Sequence, residues 1–316
     1  MPESYEIRAF KAEDTPRLLQ VWNRSLPIDG VGLSVFEQKV ILDDNFSPEG
    51  LLVAETKDGV QGFIYGVVRR VPMPGLGLQE DKGWITAWGV VPEARGQGMG
   101  KALLNASLGF FKQENRKQVI FSTYSPNYFV PGVDMKAYAP AMQLLGKAGF
   151  EKVTEFLSMD ARIVQYVRPD EVVAKEEKLR QSGIDVRFYE RADLFNYLEF
   201  QRKHMPPDWL MLAKNNLRDL CRGMFEPDQI VIALDRGTIV GFCQHEAEHF
   251  GPFGVADSHQ GKGIGTVLLS KVLERMHQKG LHGAWLLWTG DRAAQGVYGR
   301  LGFTETRRFA MMCKNI

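Results

Sequence analysis

An internal repeat constrains the fold of this chain more than any other feature. Residues 51–63 (LLVAETKDGVQGF) align without a gap with residues 230–242 (IVIALDRGTIVGF), and the matched glycines Gly62 and Gly241 are 179 positions apart. Both segments carry apolar and β-branched residues on either side of a polar turn with glycine, which predicts two strands joined by a tight turn. A chain that carries one supersecondary unit twice is predicted to contain two copies of one domain.

Two further matches show where the copies differ in length. The glycine-rich residues 89–100 and 254–265 match at an offset of 165, so the first copy holds 14 extra residues before them. The pairs Gly149-Phe150 and Gly302-Phe303 match at an offset of 153, which gives 12 more. The two insertions are assigned to residues 71–82 and 125–136.

The order of predicted elements is the same in both copies. Each has a strand, a helical segment, a β-rich middle, a glycine loop that opens a helix, and a closing strand, helix and strands. This order predicts an α+β fold with two tandem domains, each a mixed, mostly antiparallel sheet flanked by helices. The domains are placed at residues 1–165 and 184–316. Between them, in residues 166–183, helical spacing, dense charge, an initial proline and a final glycine predict a linker helix on the surface.

Length and composition agree with two ordinary domains. The chain has 316 residues, which suits two domains of about 150 residues each. Lysine and arginine total 39 against 38 aspartates and glutamates, so charge gives no reason to expect a nucleic-acid partner. The sequence shows no signal peptide, no transmembrane run and no metal-ligand spacing among its three cysteines. These features predict a cytoplasmic protein with reduced thiols, no bound metal and no membrane contact.

The two glycine loops are the strongest functional signal. Residues 95–100 (RGQGMG) and 260–265 (QGKGIG) each follow an apolar strand and open a helix. Glycines there bring the backbone close to a ligand and turn several N–H groups in one direction. Together with the positive end of the helix dipole, those donors form an anion site. A tight strand-to-helix turn is the alternative, and recurrence in both copies favours the anion site.

Two other phosphate-binding loops do not fit these sequences. A P-loop needs a lysine and then serine or threonine after its last glycine, whereas Lys101 is followed by Ala102 and Gly265 directly by Thr266. A dinucleotide loop needs Gly-x-Gly-x-x-Gly, whereas both loops have Gly-x-Gly-x-Gly.

Both copies carry arginine or glutamine followed by x-x-Gly-x-Gly after a valine-rich strand, with Gly-Phe downstream. This pattern resembles that of the GNAT superfamily of N-acetyltransferases. The resemblance covers about residues 1–165 and 184–316. It implies acetyl-coenzyme A as cosubstrate, with the pyrophosphate on loop amides and the pantetheine and thioester along the preceding strand. The coenzyme-binding residues that it implies are Val90, Val91, Arg95, Gln97, Gly98, Met99, Gly100 and Lys101, and Val255, Ala256, Gln260, Lys262, Gly263, Ile264, Gly265 and Thr266.

The resemblance also points to one catalytic acid. Transfer of an acyl group to an amine needs a neutral amine and a proton for the departing thiolate. Tyr298, four residues before Gly302, resembles the family tyrosine that protonates the thiolate, whereas Leu145 stands at that place in the first copy. Because leucine has no proton to give, catalysis is predicted mainly in the C-terminal domain.

The base is predicted in the segment His-Glu-Ala-Glu-His at residues 245–249, before the second glycine loop. Alternate residues of a strand share a face, so only part of this set faces the cleft. The candidates are Glu248 or Glu246 acting through a water, or His249 acting directly. A polar hairpin that faces solvent is the alternative interpretation.

The predicted function is acetyl-coenzyme A-dependent N-acetylation of a small-molecule primary amine. Two alternatives stay open: a coenzyme A-binding sensor or scaffold without turnover, and catalysis in the N-terminal domain by Asp134 as base and Tyr138 as acid. The near-zero net charge and the two loops argue against aminoacyl transfer from tRNA. The second insertion is predicted either to line a substrate pocket or to cover an edge. The acceptor and the oligomeric state are not indicated by the sequence.

Overall fold

The computed structural model describes residues 4–316, which divide into two compact units. The first unit runs up to Phe156 and includes Arg308–Ile316, and the second is Leu157–Arg307. Each unit has one sheet with helices on both faces, which confirms the predicted α+β class. Over the described residues, none of the helices has both the length and the apolar character that crossing a membrane requires.

The first half of the chain contains seven strands and four helices among its described residues. In chain order these are β1 (Glu6–Ala9), α1 (Thr15–Ser25), α2 (Leu33–Phe36), β2 (Leu51–Thr56), β3 (Gly59–Val67), β4 (Lys82–Val90), α3 (Met99–Gln113), β5 (Gln118–Phe121), β6 (Val133–Asp134), α4 (Ala139–Lys147) and β7 (Glu151–Arg162).

The remainder repeats this order. Its elements are α5 (Asp170–Gln181), β8 (Ile184–Phe188), α6 (Leu194–His204), α7 (Pro207–Cys221), β9 (Ile230–Asp235), β10 (Thr238–Glu246), β11 (His249–Val255), α8 (Ile264–Gln278), β12 (Gly283–Thr289), α9 (Asp291–Ala293) and β13 (Thr304–Asn315).

The two sheets have the same topology. The first unit orders its strands β1-β2-β3-β4-β5-β13, and the second orders them β7-β12-β11-β10-β9-β8. Neighbours are antiparallel except β4 with β5 and β11 with β12, which are parallel. The repeat extends to the register, because Ala54 pairs with Gly62 and Ala233 pairs with Gly241.

Each sheet separates two apolar cores. In the first unit, α1 packs Leu18, Val21 and Trp22 on one face, while α3 packs its buried leucines on the other. The second unit repeats this division, with α6 and α7 on one face and α5 and α8 on the other. Alternation of apolar side chains along the strands supplies both cores, as expected for a sheet covered on both faces.

The insertions lie where the repeat offsets place them. Residues 68–81 connect β3 to β4, whereas residues 247 and 248 alone connect β10 to β11. Residues 122–138, including β6, separate β5 from α4, whereas Gly290 alone separates β12 from α9.

The charged helix predicted between the copies is α5, which directly follows Pro169 and ends two residues before Gly183. Its side chains Val172 and Leu179 are buried in the core of the second unit, and most of the others are exposed.

Candidate functional site

The two glycine loops adopt the same backbone conformation. Gly96 and Gly98 have φ angles of 77° and 85°, and Gly261 and Gly263 have 79° and 86°. Side chains rarely tolerate this left-handed region, so glycine is required at these positions. Gly98 and Gly263 are the N-caps of α3 and α8, whose first-turn amides have no partner within the helix. Both loops therefore present backbone donors at a helix N-terminus.

The side chain of the first residue of each loop holds the loop by hydrogen bonds to neighbouring backbone. Arg95 donates from Nε to the Val90 carbonyl at 3.0 Å and from a terminal nitrogen to the Ser25 carbonyl at 3.1 Å. Gln260 donates from Nε2 to the Val255 carbonyl at 3.4 Å. In both copies this side chain ties the loop to the last residue of the preceding strand.

The other predicted coenzyme residues fall into two groups. Val91 and Ala256 are buried, and their amides donate to the neighbouring strand at Gln61 and Val240, both at 2.9 Å. Met99 and Ile264 are also buried and anchor the helix starts in the core. The residues at least partly accessible are Val90, Gln97, Gly98, Gly100 and Lys101 in the first unit, and Val255, Lys262, Gly263, Gly265 and Thr266 in the second.

In the first unit, a cavity of about 530 Å³ adjoins the glycine loop. Strand β4 pairs with β5 only from Lys82 to Ile85, and the next five residues of β4 continue along the cavity. The lining comes from both faces of the sheet, with Trp22 on the α1 face and Leu144 on the α4 face. The parting of two parallel strands therefore opens a passage through the sheet, of a size typical of small-molecule sites.

Two polar side chains meet in this cavity. The Tyr138 hydroxyl donates to the Asp29 carboxylate at 2.8 Å, and both residues are part of the lining. Tyr138 stands immediately before α4, and Asp29 lies in the turn after α1. The Asp29 backbone is held by its carbonyl, which accepts from the Trp22 indole N–H at 3.1 Å. A carboxylate and a phenol, groups that can serve as base and acid, are thus adjacent in the cavity that adjoins the loop.

Asp134, proposed from the sequence as a base, has a different environment. It is buried, and its Oδ1 accepts from the backbone N–H groups of Lys136 and Ala137 at 3.0 and 2.8 Å. These bonds shape the turn that leads to Tyr138. The second insertion supplies Phe129, Val130 and other cavity-lining residues, so it lines a pocket rather than only covering an edge.

Asp29 was missed by the sequence analysis although a signal was present. The offset of 179 that relates the two hairpins also aligns Leu26-Pro27-Ile28-Asp29 with Met205-Pro206-Pro207-Asp208. A proline and an aspartate that recur at the same offset in both copies of this loop mark positions worth testing.

In the second unit, aromatic rings occupy the region where β11 and β12 diverge. These strands pair at one position, His249 with Trp285. Phe250 lies 5.1 Å from Phe303 and 5.6 Å from Tyr298, measured between ring centroids, and Phe253 lies 6.2 Å from Tyr298. Such spacings are those of a packed aromatic cluster.

The second glycine loop is also more crowded than the first. A methyl group built on Gly263 would lie 2.5 Å from Lys175 Cδ of α5, whereas one on Gly98 would lie 3.6 Å from its nearest neighbour, the Tyr5 hydroxyl. The Lys175 side chain therefore packs closely against Gly263, whereas the Tyr5 hydroxyl is at ordinary contact distance from the corresponding point at Gly98.

Tyr298, the predicted acid, is 7% exposed in the aromatic cluster. Burial raises the pKa of its hydroxyl well above the usual value, and a hydrogen bond with Thr289 opposes this shift. Leu145, at the matching place in the first unit, is fully buried. Both copies therefore direct this position into the core.

The predicted base candidates lie at the tip of the β10–β11 hairpin. Glu246 pairs with His249 across the turn, and Glu248 Oε1 accepts from the backbone N–H groups of His282 and Gly283, both at 3.0 Å. The His249 ring packs on Trp285 at 4.3 Å between centroids. Six residues of strand separate His249 from the loop end of β11, about 20 Å at 3.3 Å per residue. The tip and the second glycine loop thus lie at opposite ends of this strand.

The sequence matches the Acetyltransferase (GNAT) family over residues 15–129 and 190–303, one match in each copy. A search of curated proteins finds no match.

Several solved structures share the fold. A GCN5-related glucosamine N-acetyltransferase region of a fungal multi-domain β-N-acetylglucosaminidase is 16% identical with a TM-score of 0.78; the match covers 99% of this chain but 38% of that one. A GCN5-related N-acetyltransferase from Sphaerobacter thermophilus is 17% identical with a TM-score of 0.72, covering 98% and 95% of the two chains. A tandem GNAT protein from the clavulanic acid biosynthesis pathway is 14% identical with a TM-score of 0.64, covering 99% and 98%.

The two family matches together span well over half of the chain, and they coincide with the two structural repeats that carry the glycine loops. The chain is an acyltransferase that belongs to the GNAT family, with two GNAT domains in tandem.

Proposed function

We propose that the protein transfers the acetyl group of acetyl-coenzyme A to a primary amine of a small molecule, and that the first unit performs this reaction. The observation that supports the proposal is the pairing of Tyr138 with Asp29 at 2.8 Å inside the cavity that adjoins the first glycine loop. This location in the first unit departs from the prediction based on Tyr298.

The first glycine loop fits the coenzyme. The GNAT family uses acetyl-coenzyme A, and its pyrophosphate needs several N–H donors and a positive potential. The amides from Gly98 to Lys101 at the start of α3 would supply both. The pantetheine arm would lie beside β4, along residues 86–90, where the cavity follows the strand.

Asp29 and Tyr138 would move one proton from nitrogen to sulfur. As the amine nitrogen attacks the thioester carbon, Asp29 takes the proton that this nitrogen loses. As the carbon–sulfur bond breaks, Tyr138 gives its hydroxyl proton to the sulfur and recovers one from Asp29 across their hydrogen bond. The products are the N-acetylated amine and coenzyme A with a free thiol, and both side chains return to their initial protonation states.

Catalysis in the second unit is the second candidate, because its loop has the same φ angles and Tyr298 stands at the family position. Two features weigh against it in our proposal. Aromatic rings occupy the strand divergence, and the polar hairpin tip lies at the far end of β11 from the loop.

Matched phenylalanine variants distinguish the two units. The assay is release of coenzyme A thiol with a panel of primary amines, with the acetylated product identified by mass spectrometry. We expect Tyr138→Phe to lower kcat by about 10²- to 10⁴-fold, the usual contribution of an acid–base group, and Tyr298→Phe to change it less than about twofold. A large loss of kcat for Tyr298→Phe with little change for Tyr138→Phe would assign catalysis to the second unit. Coenzyme binding without turnover of any amine would favour the sensor alternative.

A further inference from the structure

Charge is distributed unevenly among the residues that line the first-unit cavity. The lining cations, Arg95 and Lys101, belong to the glycine loop and the start of α3. Among the described lining residues, Asp29 is the one acid. An anionic coenzyme therefore has its favourable potential at the loop, and a cationic group has its favourable position at Asp29.

The surface around Asp29 on the α1 face is apolar. Trp22 and Phe129 meet edge to face with ring centroids 5.0 Å apart, and Leu26 and Val130 complete this wall. Leu26, Phe129 and Val130 offer the accessible carbon surface of this wall, whereas Trp22 is almost fully buried behind it and its indole N–H is already used by the Asp29 carbonyl. Hydroxyl groups of a ligand placed against these carbon surfaces would lose their water without gaining matching hydrogen bonds from them.

Two cationic side chains hold the segment that carries Phe129. The Lys39 ammonium donates to the Tyr128 carbonyl at 2.9 Å and lies 5.5 Å from the centre of the Phe129 ring. Arg69 is buried and donates to the Ser125 carbonyl at 2.6 Å. Two cations thus hold the second insertion in place, which makes the apolar wall a built surface rather than a loose loop.

We infer that the acceptor is a primary amine on an apolar body, an alkyl or arylalkyl amine. Its ammonium is received by Asp29 and releases one proton to solvent before the neutral amine attacks, and its carbon chain packs on the exposed surface of Leu26, Phe129 and Val130. The inference rests on the proposed function and narrows its substrate class. It contrasts with glucosamine, the acceptor named for one solved structure of the same fold. Acetylation removes the positive charge, so the product loses its attraction to Asp29 and leaves more readily.

A homologous series of linear alkylamines tests the apolar wall. Each methylene buried on the wall is expected to raise kcat/KM about fourfold until the wall is filled, the value that follows from burial of one CH₂ group. Phenethylamine is expected to be used far better than glucosamine at equal concentration. A flat series, or glucosamine used as well as phenethylamine, would overturn the inference.

Asp29→Asn tests the ammonium site. Loss of a charge-assisted contact is expected to weaken binding of phenethylamine to the coenzyme A-bound protein by about 10- to 150-fold, measured by titration calorimetry. Asp58→Asn, which changes an exposed carboxylate of the β2–β3 turn, should leave this binding unchanged. Equal binding by the Asp29→Asn protein and the parent would refute the assignment.

The binding measurement separates this inference from the proposed function. Binding of apolar amines that depends on Asp29, without any turnover, would support the acceptor site and refute the acetyl transfer. Turnover of glucosamine together with poor use of apolar amines would support the transfer and refute the acceptor class. Neither binding nor turnover of any amine would refute both.

Discussion

Replacement of the two cap glycines by alanine compares the glycine loops under matched strain. Gly98 and Gly263 have φ angles of 85° and 86°, so alanine at either position must adopt a left-handed backbone. That conformation costs about 1–2 kcal/mol for a residue with a side chain. For a unit of this size, the loss corresponds to a fall in Tm of about 2–8 °C.

The two substitutions differ in what the new methyl group meets. At Gly98 it would lie at ordinary contact distance, 3.6 Å, from the Tyr5 hydroxyl, at the helix start where a bound phosphate would lie. At Gly263 it would overlap Lys175, a flexible side chain that has to move. Loss of one charge-assisted hydrogen bond, worth about 1.5–3 kcal/mol, should weaken coenzyme A binding by Gly98→Ala about 10- to 150-fold.

Titration calorimetry with coenzyme A measures the difference, and thermal unfolding monitors the strain. The expected result is a large affinity loss for Gly98→Ala and an affinity for Gly263→Ala within about twofold of the parent, with both proteins less stable. If Gly263→Ala weakens binding while Gly98→Ala does not, the coenzyme occupies the second loop, and its assignment to the first loop is refuted.

Two further predictions concern stability. The hydrogen-bonded guanidinium of Arg8 lowers the pKa of Asp14. The pair therefore stabilises the fold above the unfolded-state pKa of about 3.9, and this stabilisation is lost as pH falls through the folded-state pKa. Denaturant titrations between pH 2 and 7 should show a smaller acid-induced loss of unfolding free energy for Asp14→Asn than for the parent. Trp22 is 1% exposed and stacks on Phe63 at 4.6 Å between ring centroids, so Trp22→Ala should lower the free energy of unfolding by about 3–5 kcal/mol. Phe195→Ala, at a 71% exposed site, should change it by less than about 0.5 kcal/mol. Similar losses for both variants would contradict the assigned core.

The features predicted well from the sequence depend on local pattern. The alignment of the hairpins predicted strands β2, β3, β9 and β10, because alternation of side chains and the turn glycines are properties of short segments. Glycine spacing predicted the strand–loop–helix units, since left-handed φ angles are needed wherever the backbone turns this tightly. The offsets also placed both insertions, because a difference in length between two copies is independent of tertiary contacts.

The geometry of the candidate site depends on distant residues and was predicted only in part. Tyr138 was noted as a possible acid, but its partner Asp29 lies 109 residues earlier, and no local pattern joins them. Tyr298 stands at the expected sequence position, yet its exposure is set by Phe250, Phe253 and Phe303, which come from other elements. The partner of β13 is equally nonlocal, because Met312 pairs with Phe121 in the first unit.

A crystal structure of the protein with coenzyme A would test the central proposal most directly, because it locates the reacting sulfur. We expect the pyrophosphate on the amides from Gly98 to Lys101 and the thiol in the first-unit cavity, within about 3.5 Å of the Tyr138 hydroxyl. A thiol beside Tyr298 in the second unit, with the first-unit cavity empty, would contradict it.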